Sequence, residues 1–154
     1  TLDILSIEVT SNANGDGQIL PDLLAQIPVD ERFLIVGGVG AYDTRNCHAA
    51  IAERGADPII PVRRNGKAWA KDGPGVDARN ETLRAMKRLG RAIWKKWSGY
   101  HKRSLVETKM HCFKLLGQRL GARTFVRQMT ELKVRAAILN RFSQIGTPNT
   151  IRVA

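Results

Sequence analysis

The chain has 154 residues, 43% of them hydrophobic, and a formal net charge of +11. That length supports one domain with a buried core and excludes two large ones. No apolar run approaches the roughly 18 to 20 residues that a membrane span needs, and the first ten residues lack the basic and apolar regions of a signal peptide, so the expectation is a cytoplasmic protein with no membrane partner.

Charge is segregated along the sequence. Residues 1–60 carry three Arg or Lys against nine Asp or Glu, a net of −6, whereas residues 61–154 carry 22 against five, a net of +17. A surface that is basic only for solubility would intersperse both signs, so this distribution favours a polyanionic partner, nucleic acid first. Two cysteines, Cys47 and Cys112, make no disulfide framework and suit a reducing compartment.

Leu2 to Thr10 alternates apolar Leu2, Ile4, Ile7 and Val9 with Asp3, Ser6 and Glu8, the pattern of a half-exposed strand. It opens inside that pattern, as part of something longer would. Ser11 to Gly17 is a turn cluster. Ile19 to Ile27 shows helical spacing, with Pro21 in the first turn and Pro28 as the stop. Phe33 to Val36, closed by Gly37-Gly38, reads as a buried strand covered on both faces. A helix capped by Asp43 or Thr44 follows, running to Gly55, and Pro58 to Val62 is a further short strand. Alternating strands and helices predict an α/β layer structure.

The basic half begins with Arg63 to Asp77, a loop rich in Gly, Arg and Lys. Arg63, Arg64, Lys67 and Trp69 place cations around an aromatic, a set that can grip phosphates and stack on a base. Ala78 to Trp97 reads as one helix, with Leu83, Met86, Ile93 and Trp97 on one side and cations, Lys95 among them and Lys96 beside it, largely on the other. After Ser98-Gly99 a helix is expected to run from Tyr100 to Leu116 or Leu120, its apolar face formed by Leu105, Val106, Phe113, Leu116 and Leu120. Thr124 to Ser143 is the last, burying Phe125, Met129, Leu132, Ala136, Leu139 and Phe142 and stopping at Gly146 and Pro148. Cys47-His48 and His111-Cys112 are adjacent pairs and lack the usual spacing of zinc ligands.

On a helix, Tyr100, Arg103, Glu107 and Lys114 would lie within about 60° of one another, one acid among cations. Their spacing, Tyr-x2-Arg-x3-Glu-x6-Lys, resembles the Tyr, Arg, Glu, Lys motif of DDE transposases of bacterial insertion sequences. The run from Gly38 to His48 is similar to the Gly-Asp-Gly-Ala-Tyr-Asp-Thr segment that carries the second catalytic aspartate in the insertion-sequence-five group. Ile59 to Asn65, Trp97 to His101 and Glu107 to His111 resemble that group as well, so the likeness covers essentially the whole chain in order.

The resemblance implies a ribonuclease H-like mixed sheet flanked by helices, in which two aspartates and a glutamate hold two Mg²⁺ or Mn²⁺ ions for in-line attack on a phosphodiester. It implies double-stranded DNA, as transposon ends and target, and a second transposase copy as partners, hence a nucleoid-associated location. Glu107 matches the third acid and metal ligand, with Tyr100, Arg103 and Lys114 beside it as catalytic-site residues. Two departures follow. Val39 stands where the second aspartate belongs, and the strand carrying the first should precede Thr1. The expectation is therefore an N-terminally truncated, catalytically defective domain spanning residues 1–154, with a strand and helix part at 1–62, a basic loop at 63–77 and a helical part at 78–154. Asp43, four residues past Val39, matches a separate acid of the family segment and is weighed as a substitute ligand and as a helix cap. The alternative function is a non-enzymatic DNA-binding remnant that competes with intact transposase; a basic RNA-associated protein unrelated to transposition is a third reading.

Overall fold

A computed structural model describes residues 3–10 and 15–146. These form two compact units, Glu8–Arg103 in one and the described parts of Thr1–Ile7 and Ser104–Ala154 in the other.

The larger unit is built on a β-α-β element. β1 (Ile35–Gly37) and β2 (Asp57–Ile59) pair in parallel, Val36 opposite Pro58, and α2 (Arg45–Glu53) makes the crossover between them. α2 starts where the sequence says it should. Thr44 is its cap, the hydroxyl accepting from the Cys47 N–H at 3.3 Å, and Gly55 ends it at φ +67°. α1 (Asp16–Ala25) begins earlier than the apolar spacing predicts, which puts Pro21 inside the helix. Proline supplies no N–H to the carbonyl four residues back, that of Gly17. The buried Cys47 thiol donates to Gly17 O at 3.0 Å instead. Burial pushes that thiol's pKa up, keeping it protonated and able to donate.

Leu24 and Ile27 of the α1 region pack with Ile51, Ala56 and Ile60 to make the first core, and Phe33, Val36 and Tyr42 close over it. The Arg54 guanidinium donates to Ile27 O, Pro28 O and Glu31 O and lies over the Phe33 ring, fastening the segment between α1 and β1. β1 is less covered than its apolar run predicts. Leu34 and Ile35 are exposed, and among the described residues β1 pairs only with β2.

A second core joins β2 to the helices that follow: Val62, Leu83, Met86 and Trp94 are buried, with Ile59, Ala85 and Tyr100 against them. The helix expected over 78–97 is two, α3 (Val76–Leu89) and α4 (Arg91–Trp97), separated by Gly90 at φ +83°. That break resets the helical phase. Trp94 turns inward, while Ile93 and Trp97, expected on the apolar side, face solvent. A 3₁₀ turn, Tyr100–Arg103, ends the unit.

The smaller unit contains α5 (Ser104–Leu115) and α6 (Phe125–Ile145). Ala136 and Leu139 of α6 are buried, whereas Phe125 and Phe142 are exposed, as are Leu105, Val106 and Leu116 of the α5 region. Glu131 organises the connection between the helices: it accepts from the Gly121 and Ala122 N–H groups and pairs with Arg135, which donates to Arg119 O. Of the strand expected over 2–10, the described residues 3–10 form no strand and pair with no other strand. The Asn140 amide takes the place of a neighbouring strand at Ile4, accepting from its N–H at 2.8 Å and donating to its carbonyl at 2.9 Å.

Two glycines test this description. Gly75 has φ +74°, and a Cβ there would strike the His48 carbonyl; Gly55 has φ +67° and open space. Gly75→Ala should therefore lose about 2–4 kcal/mol in urea unfolding, and Gly55→Ala only about 1–2 kcal/mol.

Candidate nucleic-acid interface

The polypeptide leaving β1 passes through Val39, whose carbonyl accepts from the Tyr42 N–H at 3.0 Å as the 3₁₀ turn Gly40–Tyr42 forms. That turn delivers Asp43 into the interior, with its side chain 2% exposed. Asp43 is not the cap of α2, since Thr44 is. Its Oδ1 accepts from Arg79 Nε at 3.0 Å, and its Oδ2 accepts from Arg79 Nη2 at 3.2 Å and from the Arg63 N–H at 3.1 Å. His48 Nε2 lies 3.4 Å from Oδ1, a contact rather than a formed hydrogen bond. Burial alone would raise the Asp43 pKa. The His48 contact, the Arg79 guanidinium and the Arg63 N–H prevail and hold it well below the usual carboxylate range.

This pair shapes the basic loop. Arg79 also donates to Lys67 O and stands over the Trp69 ring at 4.4 Å. Its neighbour Asn80 clamps the Trp69 backbone, accepting from its N–H at 2.9 Å and donating to its carbonyl at 3.0 Å. Arg45 donates to Lys71 O and lies 4.9 Å from the Trp69 ring, and the edge of His48 meets that ring with centroids 5.3 Å apart. Arg63 turns back to bond Gly40 O and Ala41 O. The segment is thus pinned at 63, 67, 69 and 71. It bounds an open recess of about 380 Å³ lined by Asp43, Arg63, Asn65, Gly66, Lys67, Ala68, Trp69 and Arg79. Lys67, which lines this recess, and Arg64, between its lining residues Arg63 and Asn65, are exposed, with no side-chain partner among the described residues.

The remaining sequence-predicted residues divide between the units. Tyr100 and Arg103 lie on the 3₁₀ turn of the larger one. Three residues per turn eclipse them, and the Arg103 guanidinium sits 5.6 Å from the Tyr100 ring centroid. Lys95 covers the same ring at 5.1 Å, while Lys96 is exposed. Glu107 and Lys114 belong to the smaller unit, exposed in the first and last turns of α5 and seven residues apart, hence on one helical face roughly 10 Å from each other.

Residues 1–141 match the family described as Transposase DDE domain. The chain belongs to that family. No solved structure matches it. DDE transposases act on DNA and work with divalent metal ions, so the donor set can be judged against that need. A two-metal site requires several carboxylates in one place. Among the described residues no three His, Cys, Asp or Glu side chains gather into such a group. Val39 offers no donor, and both oxygens of Asp43 are already engaged. The described residues of this transposase domain do not fit a paired-metal centre.

Spacing reasoning overlooked Arg79 and Asn80. Arg79 was visible as the one charged residue on the stripe Val76, Arg79, Leu83 and Met86, all four of them buried. A cation in an apolar stripe demands a buried acid, and Asp43 is that acid. Asp43→Asn should cost about 3–5 kcal/mol at neutral pH, because it leaves the buried Arg79 without its countercharge. The folded pKa is depressed, so this stabilisation is present above the ordinary value of 3.8 and fades as pH falls below it. Urea unfolding from pH 7 to pH 3 should show the gap between wild type and variant starting to narrow below 3.8, with most of it still present at pH 3.

Proposed function

We propose that this chain is a DNA-binding transposase domain of the insertion-sequence-five group that does not cleave phosphodiesters, its β-α-β element forming part of a ribonuclease H-like sheet. The observation that carries this is the commitment of Asp43. The acid nearest in sequence to Val39 is enclosed by Arg79 and the Arg63 N–H, and freeing it for a metal would strand a buried guanidinium. Glu107 is the ancestral third ligand, and Tyr100, Arg103 and Lys114 are the remainder of that site.

DNA binding persists because it needs cations rather than clustered acids. Arg64 and Lys67 at the pinned loop, with Lys95 and Lys96 on α4, contact the phosphate backbone; Arg63 and Trp69 keep the loop in shape for them. A domain that binds without cutting competes with intact transposase for transposon ends.

Duplex affinity should fall steeply with salt. Arg64→Ala and Lys67→Ala should each weaken binding and lower the slope of log affinity against log salt by about one. Strand-transfer assays with Mg²⁺ or Mn²⁺ should yield no product from this chain, and added chain should inhibit an active transposase on the same ends. Metal-dependent cleavage by the chain as it stands would overturn the proposal.

A further inference from the structure

The three tryptophans have different environments. Trp94 is 3% exposed in the second core, Trp69 is half-buried against His48, Arg45 and Arg79, and Trp97 is 76% exposed. Ile93, one turn before Trp97 on α4, is 59% exposed, so the two form one apolar strip on the helix surface. A large aromatic left in water at the end of a helix costs hydration free energy that burial in a partner would recover.

The surroundings of the strip select the partner. From Thr82 to Val106 the sequence contains no Asp or Glu; Arg84 pairs back with Glu81 and Arg91 donates to Val62 O, but Lys87 and Arg88 are exposed ahead of the strip and Lys96 is exposed next to Trp97. An apolar protein surface would meet uncompensated positive charge there, whereas a nucleic-acid strand brings phosphates for the lysines and a base face for the indole. The bases of intact duplex are stacked on one another and present only their edges. An unpaired base presents a face, and stacking on an aromatic side chain is the sequence-tolerant way to hold it. Tyr100, the neighbouring aromatic, is already covered by Lys95 and Arg103 and packs on the second core.

We propose that Trp97, supported by Ile93, is a stacking platform for an unpaired base, giving the α4 surface a preference for single-stranded or locally unpaired DNA over intact duplex. This rests on the reading of the chain as a DNA-binding domain.

The test is fluorescence anisotropy with labelled oligonucleotides of one sequence, as single strand, as perfect duplex and as duplex with a few unpaired bases, over a salt series. Trp97→Ala should lower affinity for the single strand and the interrupted duplex by roughly tenfold, leaving perfect duplex and the salt slope unchanged. Trp97→Phe should restore most of the loss. Equal effects on all three DNAs, or none, would overturn the platform while leaving DNA binding intact. Failure of the unmutated chain to bind any of the three would overturn the DNA-binding reading together with it. A Trp97-dependent dimer in light scattering, with strand preference unaltered in Trp97→Ala, would assign the strip to self-association and overturn the proposal.

Discussion

The larger unit depends on one buried ion pair. Asp43 enters from the end of β1 through a 3₁₀ turn, and Arg79 reaches it from the first turn of α3. Removing two charges from water is expensive, and the attraction between them offsets that cost only when geometry is good and the remaining polar atoms are satisfied. Here the arginine bonds both carboxylate oxygens, the Arg63 N–H adds a third donor, and Arg79 still reaches Lys67 O. The pair therefore joins the ends of both strands, α3 and the basic loop in one connected network. Trp69 closes it, held by its own backbone in the Asn80 clamp.

The same network sets what the site can do. A carboxylate held by a bidentate guanidinium and an amide is unavailable to a hard cation, because ligation would have to break bonds already made by a buried side chain. Val39 carries no donor side chain, and the end of β1 serves as a structural joint. Phosphate recognition makes different demands: it needs cations at a stable surface, and under the proposed function, pinning the loop at four positions would reduce the entropy that Arg64 and Lys67 lose on meeting a strand.

Much of this organisation was legible in the sequence. A helix start capped at Asp43 or Thr44, the Gly55 stop, the crossover helix and the loop after Val62 follow from local rules that tertiary contacts do not override; which of the two residues caps was settled only by the burial of Asp43. The parts that were not legible share a cause. Gly90 reads as one weak residue inside a long helical period, yet its positive φ restarts the helix and exchanges Trp94 for Trp97 on the inner face. The alternation in Leu2 to Thr10 has the period of a strand, but a strand needs a neighbour, and at Ile4 an asparagine side chain serves instead. Tyr100 to Arg103 takes the tighter 3₁₀ winding, so the four motif residues do not lie on a single helix face as their spacing suggested. Arg79 was masked because periodicity counts apolar residues and passes over the charged one among them.

The central claim is that Asp43 serves as the buried partner of Arg79. Carbon-13 NMR of the Asp43 side-chain carboxyl, followed from pH 7 downward with and without Mg²⁺, measures it directly. The account predicts a resonance that stays that of an ionised carboxylate through the ordinary value of 3.8 and does not respond to Mg²⁺. Titration at or above that value, or a shift on adding Mg²⁺, would contradict it.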